Sequence, residues 1–231
     1  MAKVLVLVLA AASAARADFS FTVTVKMGSD TNTEKCYMKG HRMMTDMPAA
    51  IWIWDLDAQT VTHVDKAART YKVSPLGGTG RGNSKSPQVD VKDTGQRKTI
   101  GGFAANQVIL TSDSGSLRGG MRTQSVSEIW YSRDVPGAQE WLAFFKRFDE
   151  LGLGETASGM SGMIAMLKKS MGLGGVPLLT IVRVTVTGGD AKLAKQLNSA
   201  LGETTQECSG FSTSPIPDSV FAVPAGFTRI P

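Results

Sequence analysis

The chain is poor in the residues that most often carry chemistry. In 231 residues it has two histidines, His41 and His63, and two cysteines, Cys36 and Cys208. They are scattered, with none of the ligand spacings of known zinc sites, so no metal site is expected. A nucleophilic serine needs a base held beside it. Ser114 in Asp113-Ser114-Gly115 and Ser161 in Gly159-Met160-Ser161-Gly162-Met163 are the candidates. The second lacks the closing glycine of an esterase elbow, and no spacing ties either serine to His41 or His63. A phosphate-cradling loop is missing too: before Lys85-Ser86, Thr79 and Ser84 stand where glycines are required. Asp55-x-Asp57-x-Gln59 begins like a calcium loop, but Thr60 replaces the turn glycine and Lys66 the bidentate carboxylate. Asp55 and Asp57 are therefore expected to cap a hairpin turn. A non-enzymatic protein without a cofactor is the reading.

A long apolar run is lacking as well. Val4–Leu9 and the alanines after it fall short of the roughly 20 residues that span a bilayer. Lys3 before that run and Ala15-Arg16-Ala17 after it have the form of a signal peptide with small residues at its cleavage site. No cysteine follows the run to take a lipid. The expectation is export to the periplasm or medium after cleavage near Ala17, leaving a chain that does not span a membrane. Strong charge of one sign is absent: the net charge is +5, and losing Lys3 and Arg16 with residues 1–17 lowers it by two. Lysines and arginines are interleaved with acids, whereas nucleic-acid binding wants a concentrated basic face, so no nucleic-acid partner is expected. With no internal repeat and no long linker, residues 18–231 read as one domain.

The exported compartment permits disulfides. A Cys36–Cys208 bridge would close most of the chain into one loop, worth at most about 5 kcal/mol of chain entropy. The alternative is two small buried thiols acting as apolar side chains.

What the sequence does have is alternation. In Asp18–Met27 (DFSFTVTVKM), Phe19, Phe21, Val23, Val25 and Met27 share one side, the mark of a half-buried strand. Turn residues at Gly28–Asn32 precede an extended run at Lys35–Met44. Further runs at Ala50–Trp54, Thr60–Val64 and Thr70–Val73 continue an antiparallel meander. Ser74–Gln88, rich in Gly, Pro and Ser, reads as a long exposed loop. Strands are expected again at Val89–Lys92, Arg97–Phe103 and Gln107–Leu110, then a turn-rich Ser112–Gly120, then Thr123–Ser132.

The period then changes. With Asp134 as cap and Pro136 in the first turn, Trp141, Phe144, Phe145, Phe148 and Leu151 recur at helical spacing. A second helix is expected from Thr156 or Ala157 to Met171, its stripe formed by Met160, Met163, Ile164, Leu167 and Met171. Strands at Pro177–Thr187, Glu203–Ser212 and Val220–Ile230 and a short helix at Ala191–Leu201, capped by Asp190, complete the pattern. Helices gathered between two sets of strands suggest a curved antiparallel sheet with helices on one face, or an open barrel with a helical plug.

Five large apolar side chains on one stripe would each forgo roughly 1.5–3 kcal/mol if left in water. The stripe therefore faces either the protein's own core or something bound. Methionine adapts its shape and is favoured on surfaces that take varied apolar partners, so a Met-rich cover over a sheet is also a hydrophobic-ligand site.

Several stretches, in order, resemble an exported bacterial family of unassigned function related to the LolA/LolB-like superfamily of periplasmic lipid and lipoprotein carriers. They are Tyr37–Asp46 (YMKGHRMMTD, against K-G-x-K-x-R-x-D), Trp54-Asp55-Leu56, Lys66 to Thr70-Tyr71, Lys98–Phe103 (KTIGGF, against K-x-I-A-G-Y), Glu128–Ser132 (EIWYS) and Pro217–Phe227 (PDSVFAVPAGF, against L-F-x-V-P-x-G-Y). The resemblance implies a curved, incomplete antiparallel β-barrel, mainly β with helices (α+β), whose concave face the helices cover. It brings no catalytic residues with it. The expected site holds a lipid or lipidated group with Trp141, Phe145, Phe148, Met160, Met163, Ile164 and Leu167. The rival expectation is an envelope structural or sensory partner protein with a closed core, meeting its partner through Ser74–Gln88.

Overall fold

The computed structural model describes residues 18–76, 88–116, 120–153 and 172–231. The expected signal peptide, most of the Ser74–Gln88 loop and the Met-rich stripe of Met160, Met163, Ile164, Leu167 and Met171 lie outside them, as does Ser161.

Alternating sequence becomes sheet almost throughout. The strands are β1 (Phe19–Met27), β2 (Asp30–Lys39), β3 (Arg42–Asp46), β4 (Ala50–Asp55), β5 (Thr60–Asp65), β6 (Thr70–Pro75), β7 (Gln88–Ile100), β8 (Phe103–Ser116), β9 (Arg122–Ser132), β10 (Val176–Thr187), β11 (Glu203–Ser212) and the two-residue β12 (Thr228–Arg229). They form one twelve-stranded sheet in the order β12-β6-β5-β4-β3-β2-β1-β11-β10-β9-β8-β7. All neighbours run antiparallel except β12, which lies parallel to β6. Two meanders, β1–β6 and β7–β11, are thus sewn together where β1 meets β11. Register shifts interrupt the pairing in β1–β11, β9–β10, β7–β8 and β8–β9, and bulges of this kind bend the strands they occur in. The two ends of the sheet do not pair with each other, so it stays open and is not a barrel.

Among the described residues there are two α-helices, α1 (Ala138–Glu150) between β9 and β10, and α2 (Ala191–Leu201) between β10 and β11. α2 starts as the sequence implies, with Asp190 Oδ1 accepting from Leu193 N at 2.8 Å. Asn198 ties it to β10, accepting from Val186 N at 2.7 Å and donating to Val186 O at 2.8 Å. α1 does not start as expected. Its N-cap is Gly137 at φ +85°, not Asp134, and no side chain caps it. Val135 is drawn into the core at 3% exposure, so the chain must turn around it before the helix begins. Gly137 makes that turn hard against the ring of Phe19, with no room for a side chain.

Four other expectations are corrected. Lys35–Met44 is not one strand but parts of β2 and β3, which meet at a Gly40-His41 turn. Val89–Lys92 and the Arg97–Ile100 part of Arg97–Phe103 join into β7, because Thr94–Gln96 is accommodated as an irregularity within the strand, and Phe103 instead opens β8. β7 and β8 are linked by Gly101-Gly102 alone, at φ +55° and +89°, the two positive values a two-residue type I′ hairpin demands. β8 extends to Ser116 through what reads as a turn. Val220–Ile230 is not a strand: a 3-10 turn at Asp218–Phe221 is followed by an irregular segment and β12.

The turns after β4 and β5 are copies of one another. Asp55 Oδ1 accepts from Ala58 N at 2.8 Å and Asp65 Oδ1 from Ala68 N at 2.8 Å; Gln59 and Arg69 then each take φ +52°. The shared pattern D-x-x-A-[Q/R]-T, ten residues apart, fixes both hairpins, a local recurrence too short to be read as a repeat of the fold.

The largest apolar cluster lies on the face where α1 packs, here the inner face: Phe19, Phe21, Cys36, Met38, Ala105, Trp130, Phe144, Phe145, Val176 and Leu178 are among its buried members. Two smaller clusters lie apart from it. One holds Met44, Ile53, Ile216 and Phe221, where the C-terminal segment crosses the sheet. The other holds Val108, Leu110, Ile129 and Tyr131.

Candidate functional site

Strand alternation sends Phe19, Phe21 and Val23 of β1 to the inner face, and pairing does the same for Cys36 and Met38 of β2, opposite Phe21 and Phe19. On β4 it is Trp52 and Trp54 that turn inward, because Trp54 stands opposite Met43 of the inner cluster. Val61 and His63 on β5, then Ser74 and Lys72 on β6, continue that row. α1 brings Trp141, Phe144, Phe145 and Phe148 down onto it at the i, i+3, i+4 and i+7 positions that share one helical face.

The result is a chain of ring contacts. His63 lies 4.4 Å from Trp52 by ring centroids, Trp52 6.5 Å from Trp54, and Trp54 6.1 Å from Phe148. Phe148 is 6.5 Å from Phe145, Phe145 4.5 Å from Trp141, and Trp141 5.6 Å from Phe21. Phe19, Phe211 and Phe103 extend it further, at 5.1 to 6.2 Å. Most of these separations fall in the range where tilted and edge-on rings attract. Burial varies along the array. Phe19 and Phe144 are fully buried, and Phe145 nearly so, whereas Trp52, Trp54, His63, Trp141 and Phe148 are only half-buried. Lys98 sits over the ring of Trp130 at 3.9 Å, and Trp130 Nε1 donates to Glu128 Oε1 at 2.7 Å.

Of the residues expected from sequence, Trp141, Phe145 and Phe148 are brought together here. The array's other half, Trp52 and Trp54, was legible in Ile51-Trp52-Ile53-Trp54, since residues two apart on a strand share a face.

The two cysteines are thiols. Cys36 stands opposite Phe21 and Cys208 opposite Val23, on the two strands flanking β1. Two strand spacings of about 4.8 Å put the Cα atoms beyond the ~7 Å that a bridge tolerates, so the sequence-based pairing is not formed. Burial raises the Cys36 thiol to about 12 despite a contact with Thr45 Oγ1 that opposes it. Burial likewise raises Cys208 to about 12, with the neighbouring Cys36, Glu207 and Glu34 adding to it. Neither behaves as a reactive thiolate at neutral pH.

Asp55 caps its turn as expected, but Asp57 instead pairs with His41, whose Nδ1 lies 2.8 Å from Asp57 Oδ1. Among the described residues no three His, Cys, Asp or Glu side chains converge on a metal-sized site. No described helix is long and apolar enough to cross a membrane. A separate open depression of about 500 Å³, lined by Lys26, Met27, Asp30, Leu201, Glu203 and Thr205, lies at the far end of β1 from Phe19 and Phe21. Its lining mixes both charges and holds no aromatic ring, so the aromatic face is the better candidate for an apolar ligand.

No family model matches the chain, and no curated protein matches it. Among solved structures, PNGF-II is similar at 11% identity and a TM-score of 0.41 over 92% of this chain and 30% of that one, so the chain spans less than a third of that protein's length. A DUF1329 family protein from Desulfovibrio piger ATCC 29098 is similar over 91% of each chain, at 10% identity and a TM-score of 0.32. Likenesses this distant say nothing about function.

Proposed function

We propose that this is a non-enzymatic, exported binding protein that holds an apolar ligand, a lipid or a lipidated group, against the aromatic inner face. The observation that carries the reading is the run of ring contacts that joins the half-buried Trp52 and Trp54 of the sheet to the half-buried Phe148 of α1 and, through the buried Phe145, to the half-buried Trp141. Large rings left partly in water forgo burial energy, which an apolar chain laid along them would recover. Apolar, aromatic linings with few polar groups are the usual make-up of such sites. The sequence resemblance to LolA/LolB-like carriers points the same way, as does the signal-like segment Met1–Ala17, from which periplasmic location is inferred. In this reading the stripe of Met160, Met163, Ile164 and Leu167 supplies further adaptable contacts.

The test is native mass spectrometry, with lipid extraction, of the exported form. A stoichiometric adduct lost in Trp52→Ala, with circular dichroism unchanged, supports the site. A bare mass, and no tryptophan emission shift on adding fatty acid or phospholipid, refutes it. That outcome would favour an envelope partner protein with a closed core, a reading supported by the complete burial of Phe19 and Phe144 in the inner cluster.

A further inference from the structure

The two edges of the sheet are treated differently. At one, the chain covers β6 with its own C-terminal segment: Thr228 N donates to Arg69 O at 3.0 Å and Ile230 N to Tyr71 O at 2.8 Å. At the other, β7 ends the sheet among the described residues, and Asp90, Val91, Lys92 and Asp93 are exposed along it. An edge strand with no neighbour among the described residues offers a row of backbone donors and acceptors to any strand that fits.

We propose that β7 pairs with β7 of a second copy of this chain, antiparallel and centred on Val91. Outward-pointing backbone groups recur at every second residue, so a two-fold axis between identical strands must pass through a residue pair and its position can only step from residue to residue. Centring on Asp90 sets Asp90 against Asp90, and centring on Lys92 sets Lys92 against Lys92. Centring on Val91 sets Val91 against Val91 and flanks it with two Asp90–Lys92 pairs, one on each side of the axis. Opposite charges directly across a pair of strands stabilise it and like charges oppose it, so the strand's own sequence selects this register.

On the apolar face this register sets Val91 against Val91 at the axis and Val89 opposite Asp93 of the second copy. Val91 is 41% exposed, an uncommon state for a valine in a sheet, and it stands beside the fully buried Leu110. Val89, on the same face, already packs against the cluster of Val108, Leu110, Ile129 and Tyr131. Joining two copies at Val91 makes those two clusters continuous across the axis. The irregularity at Thr94–Gln96 then ends the straight part of β7 and limits the joint to the Gln88–Thr94 stretch. A joint this short gives a concentration-dependent dimer.

Sedimentation velocity on the full chain tests this, with circular dichroism as the check on folding. The wild type should move from monomer to dimer as concentration rises. Lys92→Asp and Asp90→Lys each put two like-charge pairs across the axis and should weaken association by about tenfold or more. Mixing those two variants should restore the dimer, because each then offers the charge the other lacks, and the double swap Asp90→Lys/Lys92→Asp should dimerise alone. A wild type that stays monomeric to about 1 mM overturns the proposal. So does a Lys92→Asp variant that associates as tightly as the wild type, or a mixture that stays monomeric.

Discussion

Replacing Gly137 by alanine tests whether α1 is seated on the sheet as described. Two costs fall on the variant. Gly137 holds φ +85°, a left-handed backbone that an L side chain adopts at about 1–2 kcal/mol. A new Cβ would also overlap the Phe19 ring, with Cγ only 2.6 Å and Cε2 2.8 Å away. Phe19 is fully buried and stacked among Phe21 and Phe211, so the ring cannot swing aside and the helix must lift, an overpacking cost of about 1–3 kcal/mol. The total expected loss is about 2–5 kcal/mol. Gly152→Ala is the internal control: it too has positive φ, at +66°, but nothing lies within 4 Å of its Cβ position, so only the first cost applies. Urea unfolding followed by tryptophan emission reads both, and Trp141 on α1 should report the lifted helix directly. In a Phe19→Leu background the extra cost of Gly137→Ala should shrink, because the ring edge that meets the methyl is gone. Equal losses in Gly137→Ala and Gly152→Ala would sink the account of how α1 docks, and with it the placement of Trp141, Phe145 and Phe148 over Trp54.

Two further outcomes follow from the titrating groups. The thiols of Cys36 and Cys208 are held at about 12 in the fold against 9.0 for a free thiol, so their contribution to stability is complete below pH 9 and is lost as pH rises towards 12. Cys36→Val should flatten that alkaline loss, and alkylation without reductant should reach both cysteines only after unfolding; protection that persists in urea would mean a bridge. Asp218 is held below its usual range by hydrogen bonds from Arg42, 2.6 Å away, and Lys39. Its hold on the C-terminal segment should therefore be intact above pH 3.8 and fail as pH falls further. Asp218→Asn should speed amide exchange at Thr228 and Ile230 at neutral pH, and unchanged exchange would show that the Arg42–Phe221 contact at 4.8 Å suffices.

The local pattern of this chain was readable wherever one face of an element is buried and the other wet. Phe19–Met27 alternates and is a strand; Trp141 to Phe148 recurs at helical spacing and is a helix; Asp190 caps the helix it precedes. Where the sequence misled, a tertiary demand had overridden a local signal. Asp134 looks like a cap, but burial of Val135 postpones the helix to Gly137. Cys36 and Cys208 look like a pair, but β1 runs between them. Val220–Ile230 looks like a strand, but Val220 and Phe221 pack into the cluster around Met44 and Ile53 and only Thr228-Arg229 forms a strand.

The candidate site divides the same way. Which rings the chain owns, and which faces of β4 and α1 they occupy, follow from periods of two and 3.6 residues, and those periods are properties of the sequence alone. That Trp54, from one meander, meets Phe148, from the helix between strands of the other, does not. It depends on β1 pairing with β11, the contact that joins the two meanders. Long-range pairings are chosen by the free energy of the whole packed core, and no short window of sequence contains that sum.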